Sequence, residues 1–165
     1  MHRIGGIAVV LLLFAGACGD DASDDVAVSE DPEAEVTTTT TGPTRTEMTP
    51  FTLDLVDTSR PTEAGAGMPH QDERRLPTDV YLPAGPGPFP FVAFAHGLNG
   101  HPRKFTQLLT VWAEAGYAVA APAFPLSNDE VPGEATWTDL GNQPGDISFV
   151  IDELLAANED PASPV

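Results

Sequence analysis

Phe89-Pro-Phe-Val-Ala-Phe-Ala95, followed by His96-Gly-Leu-Asn-Gly100, is the stretch on which the fold turns. A run with no charge and no hydroxyl reads as a strand covered on both faces, as strands of parallel sheets are. The glycine-rich turn behind it ends the strand. Pro102 suits the first turn of a helix. Phe105, Leu108, Leu109 and Trp112 then recur at i, i+3, i+4 and i+7, which makes one helical face apolar. Gly116 is a natural stop, and Tyr117 to Ala123 is a second buried strand, closed by Pro122 and Pro125. Strand, helix, strand is a βαβ unit, and it predicts parallel pairing.

Toward the C-terminus a loop from Leu126 to Gly141 precedes a second helix opened by Pro144. Ile147, Val150, Ile151, Leu154 and Leu155 form its buried stripe. Asp146, in its first turn, is favoured by the helix dipole. Asp146 and Asp152 read as cap or surface residues. Toward the N-terminus, Phe51 to Val56 alternates like a half-buried strand. Gly65, Gly67 and Pro69 interrupt, and Arg75 to Leu82 alternates again with Leu76, Val80 and Leu82 on one face. Pro83 to Pro88 is a loop. Two alternating strands predict an antiparallel ribbon at the edge of the sheet. The fold class is therefore α/β, a ribbon plus βαβα, over residues 50–165.

The front of the chain belongs to other business. His2 and Arg3 precede an apolar run from Ile7 to Ala15, too short to cross a bilayer as a helix. Small residues then lead to Cys18, the only cysteine. This pattern resembles a bacterial lipoprotein signal over residues 1–17, cut before a Cys18 that carries lipid. The expected location is extracytoplasmic, with the membrane held through that anchor. A plain secretory signal with an incidental cysteine is the competing reading. Residues 18–49 form an acidic tether with Thr37 to Thr41 in a row and Arg45 as their only Lys or Arg. Without apolar periodicity the tether cannot offset its chain entropy, so disorder is expected. As a flexible coil it would reach roughly 30 Å.

The whole chain of 165 residues has 7 Lys and Arg against 25 Asp and Glu, a net charge of −18. That excludes an electrostatic nucleic-acid binder and a polybasic membrane module. One cysteine excludes a disulfide framework and any multi-thiolate metal site.

Further motifs narrow the family. These are Asp57-Thr-Ser-Arg-Pro-Thr62, Arg75-Leu-Pro-Thr78 with Tyr81-Leu-Pro83, Phe89-Pro90 leading to Ala95-His-Gly97, and Asn142-Gln-Pro-Gly-Asp146 with Phe149-Val-Ile-Asp152. In this order they resemble bacterial α/β-hydrolases, specifically the predicted dienelactone hydrolases and platelet-activating-factor acetylhydrolase-like esterases. The resemblance covers residues 51–158. It implies a serine carboxylic ester hydrolase acting on a small ester or lipid, without cofactor or metal. It also implies a Gly-x-Ser-x-Gly elbow after the next strand, with acid and base later still. None of Ser23, Ser29, Ser59, Ser127, Ser148 and Ser163 lies in such an elbow. The chain thus looks like the amino-terminal half of a hydrolase sheet, stopped before its nucleophile and expected to be inactive as it stands. No catalytic side chain is assigned.

What the resemblance does assign is one oxyanion donor, the Leu98 backbone N–H, with Gly97 letting the backbone approach a substrate and His96 shaping the loop by hydrogen bonding. Such a donor is worth roughly 2.7–4 kcal/mol when a nucleophile is present. Phe89–Ala95 should lie at an open sheet edge, because its second neighbour would be the nucleophile strand. His70 and His101 read as solvated loop residues, and the spacing of His96 and His101 gives no metal-binding face. Trp137 and Phe124 border an acyl pocket or simply pack. Two other readings compete: a non-catalytic envelope lipoprotein or binding module built on half the fold, and a degraded gene whose product does not fold.

Overall fold

The computed structural model describes Met48 and residues 50–85, 87–160, 163 and 165. The segment read as a signal peptide, Cys18 and all of the expected tether but Met48 lie outside the described residues. Among those described, no helix is long and apolar enough to cross a membrane.

The chain is mixed α/β. Its elements are β1 (Phe51–Asp57), β2 (Arg74–Tyr81), β3 (Phe91–Ala93), α1 (Thr106–Glu114), β4 (Ala118–Pro122) and α2 (Gln143–Glu159), with 3-10 turns at Pro102–Phe105 and Trp137–Gly141. The four strands form one sheet in the order β1-β2-β4-β3. β1 and β2 pair antiparallel with Leu55 opposite Leu76. β2 pairs antiparallel with β4, Val80 opposite Ala120. β3 and β4 are parallel, Val92 opposite Val119. The ribbon and the βαβα unit stand as the alternation and the apolar runs predict.

The boundaries differ modestly. β3 is three residues long, although the Pro90 carbonyl still accepts from Ala118 N–H and Phe94 N–H still donates to Ala120. Proline has no N–H to continue the ladder backward. Pro102 opens a 3-10 turn rather than α1 itself, with His101 as its N-cap. Gln143, not Pro144, is the first residue of α2.

Side chains alternate across the sheet, so each strand feeds two cores. One face packs Tyr81, Val92, Phe94, Val119 and Ala121 against Leu109 and Ala113 of α1. Phe94 also meets the rings of Phe105 and Trp112, at 4.9 Å and 6.1 Å. The other face packs Leu76, Val80, Phe91, Ala93 and Ala120 against Ile147, Val150 and Leu154 of α2. The two helices therefore lie on opposite faces. β1 and β3 are the edge strands, and among the described residues β3 pairs only to β4. Since Pro90 and Phe94 bond toward β4, the alternating backbone groups of Phe91, Ala93 and Ala95 face the open side.

Candidate functional site

Two loops leave the C-terminal ends of the parallel strands, 94–101 after β3 and 123–136 after β4. His96 joins them. Its ring is buried, with Nδ1 2.8 Å from the Gly97 carbonyl and Nε2 accepting from Phe124 N–H at 3.2 Å. That pattern needs the tautomer with the proton on Nδ1. Burial holds the imidazole below its ordinary pKa, against the opposing pull of the Gly97 carbonyl. Both nitrogens are committed to backbone, so His96 has no nitrogen left to act as a base. Phe124 lies against the ring, 4.7 Å between centroids.

The turn beyond it is closed by Gly100 N–H bonding to Gly97 C=O at 3.0 Å. Asn99 takes the left-handed φ of 57°, a conformation that Asn tolerates. Gly100 is the position that admits no side chain, because a Cβ there would lie 2.9 Å from the Gly97 oxygen and the His96 ring. A Cβ on Gly97 would meet nothing within 4 Å. The turn itself therefore leaves room for a side chain at Gly97. The turn is also tied to the second loop. Asn99 N–H donates to Ser127 C=O at 2.7 Å, and Asp129 N–H donates to Gly100 C=O at 3.0 Å. The amides of Gly97 and Leu98 find no acceptor among the described residues.

Beneath the loops lies a feature that the sequence reading missed. Arg74, at 1% exposure, forks its Nε and Nη2 onto both oxygens of Asp146 at 2.6 and 2.7 Å, and its Nη2 also reaches Asp139 at 2.7 Å. Asp139 accepts further from Leu126 N–H at 3.1 Å and Ser127 Oγ at 2.9 Å. Arg60 Nη2 lies 2.9 Å from Asp146, and its Nε donates to Asp57 at 2.6 Å. Burial alone would disfavour the Arg74 charge, but the Asp146 and Asp139 carboxylates outweigh it and raise its pKa. At Asp57, burial pushes the carboxyl up, and the Ser59 and Arg60 bonds more than reverse that. Asp146 is therefore no surface or cap residue but a fully buried ion-pair partner, whereas Asp152 is exposed.

The signal was present in the periodicity. Arg74 shares the buried parity of Leu76, Thr78 and Val80, and Asp146 falls on the stripe of Ile147, Val150 and Leu154. Opposite charges placed on two apolar stripes imply a buried pair.

Other candidates sit apart. Trp137 is 71% exposed and belongs to neither core. His101 caps the 3-10 turn through Nδ1 and lies 3.4 Å from Glu130, while His70 is half-exposed between Glu63 and Asp72. Ser127 Oγ is buried and donates to Asp139. Ser148 Oγ donates to the Pro144 carbonyl on the surface. Neither faces a free base. No His, Cys, Asp or Glu group suited to a metal ion occurs among the described residues. A groove of about 480 Å³ lined by Met48, Phe89, Ala113 and Glu114 lies at the opposite end of the sheet, away from the turn.

No family model, no curated protein and no solved structure matches the chain.

Proposed function

We propose that residues 51–158 are the amino-terminal half of an α/β-hydrolase sheet. In this reading the chain is a lipid-anchored, extracytoplasmic carboxylic ester hydrolase in lineage that contributes the first oxyanion donors and no nucleophile. The observation that carries the reading is the His96–Gly100 turn at the end of a buried strand, with two amides that find no acceptor among the described residues. An oxyanion needs backbone donors free of other partners.

The open edge of β3 supports the same reading. α1 joins β3 to β4 on one face, and α2 leaves β4 on the other. Parallel crossovers are right-handed. A parallel strand reached through α2 would therefore run back past β3 and take its open edge. A serine turn at the end of such a strand would stand beside the amides of Gly97 and Leu98. A small ester or lipid would then present its carbonyl oxygen to the turn.

The coding DNA beyond the Val165 codon tests this. A Gly-x-Ser-x-Gly elbow within a few dozen codons is the expected result, and a stop codon there overturns the hydrolase reading in favour of a non-catalytic envelope lipoprotein or binding module. The 165-residue chain alone should leave p-nitrophenyl esters unhydrolysed above background. Turnover abolished by Ser127→Ala or Ser148→Ala would mean that a nucleophile is present after all. Cys18→Ser should move the protein from the membrane to the soluble fraction, and unchanged membrane association would remove the anchor from the proposal.

A further inference from the structure

Gln143 opens α2, and its buried carboxamide reaches both loops. Nε2 donates to the His96 carbonyl at 3.3 Å and to Ser127 Oγ at 3.2 Å. The orientation of this group is dictated from below. Asp139, held by Arg74, accepts the Ser127 hydroxyl proton. Ser127 Oγ can then only accept from Gln143, which turns the amide nitrogen, not its oxygen, toward the loops. The His96 carbonyl thereby gains its donor.

A trans peptide is planar, with its C=O and N–H pointing opposite ways. Fixing the His96 carbonyl on Gln143 fixes the Gly97 N–H on the far side, where Gly97 is exposed. The next peptide follows the same rule. The Gly97 carbonyl is taken by the His96 ring and by Gly100 N–H, so the Leu98 N–H also points away from the protein. We infer that Gln143 is the positioning residue of the turn. Acting through the His96 carbonyl, it orients the Gly97 amide as a second donor beside that of Leu98. The use of these donors for an oxyanion rests on the hydrolase reading; their orientation by Gln143 does not.

The 165-residue chain labelled with nitrogen-15 gives the test. Gln143→Met keeps the side-chain length and removes both donors. The Gly97 nitrogen resonance should shift, because the hydrogen bond on the preceding carbonyl is lost. Amide exchange at Asn99 and Gly100 should rise about tenfold or more, while β1 and β2 amides keep their rates. Ser127→Ala, which frees the carboxamide to flip but keeps its reach, should give the same local pattern at smaller amplitude. Unchanged Gly97 resonance and unchanged exchange at Asn99 and Gly100 would overturn the assignment. So would an equal rise across the whole sheet, which would make Gln143 a general stabiliser. These readouts need no ester, so failure of the hydrolase reading leaves them standing and their failure leaves that reading standing.

Discussion

The two faces of the sheet are held by different physics. Under α1 the buried residues are Leu109, Ala113, Phe94, Val92 and their neighbours, apolar apart from the phenol of Tyr81. Under α2 an apolar cluster of similar kind adjoins Arg74, Asp139 and Asp146, all at 1% exposure or less. Hydrophobic contact is non-directional, whereas a forked guanidinium–carboxylate pair has one geometry. The α1 face supplies burial. The α2 face supplies burial and also registration, because the helix can sit in only one place that satisfies Asp146. The loops that carry the candidate site are tied to this second face, through Asp139 and Gln143.

The contrast can be broken most sharply at Arg74. Arg74→Met leaves the buried Asp139 without its cation and Asp146 with Arg60 alone, and should cost about 3–5 kcal/mol in urea unfolding. It should also loosen the loops, read as faster amide exchange at Asn99. Leu109→Ala on the opposite face should cost about 2–5 kcal/mol by cavity formation, with the exchange of Asn99 rising only as global stability falls. If Leu109→Ala disturbs Asn99 selectively, or Arg74→Met does not, the two faces are not distinct in the way described.

A smaller effect sharpens the same contrast through pH. The folded-state pKa of His96 lies below the unfolded 6.5, chiefly because burial disfavours its charge. As pH falls below 6.5 the unfolded chain takes up this proton first, so stability declines until the folded pKa is passed. His96→Asn should flatten this part of the profile between pH 7 and the folded value, in addition to any uniform loss. Leu109→Ala should lower the curve without changing its slope. A His96→Asn profile parallel to the parent would remove His96 as the source.

Elements with a local cause were legible in the sequence. The period-two pattern of β1 and β2, the apolar runs of β3 and β4 and the stripes of Leu109 and Ile147 each follow from neighbours a few residues away. The edge position of Phe89–Ala95 was expected from the resemblance, and β3 does lie at the edge. The ion-pair network was not read, because its partners are 65 and 72 residues apart and no local rule joins them. Only the shared parity of Arg74 with Leu76 and Val80, and the place of Asp146 on the stripe of α2, pointed to it. Gln143 entered only as part of the Asn142–Asp146 motif, with nothing to mark its role. Its role depends on two loops brought together by the sheet, and its residue type is ordinary at a helix start. Trp137 misled in the other direction, since a tryptophan suggests a core or a pocket and this one is largely in solvent.

The long separation between Arg74 and its carboxylates has a consequence for time. Contacts of that span close only after the ribbon and the βαβα unit have come together, since the entropy of a large loop must be overcome first. They are therefore expected to form late, on the native side of the folding barrier. An interaction made there leaves the rate of folding nearly unchanged and slows unfolding. On that expectation the buried arginine would act as a clock on the folded state, and Arg74→Met would speed unfolding while leaving the refolding rate nearly unchanged, as stopped-flow kinetics would read.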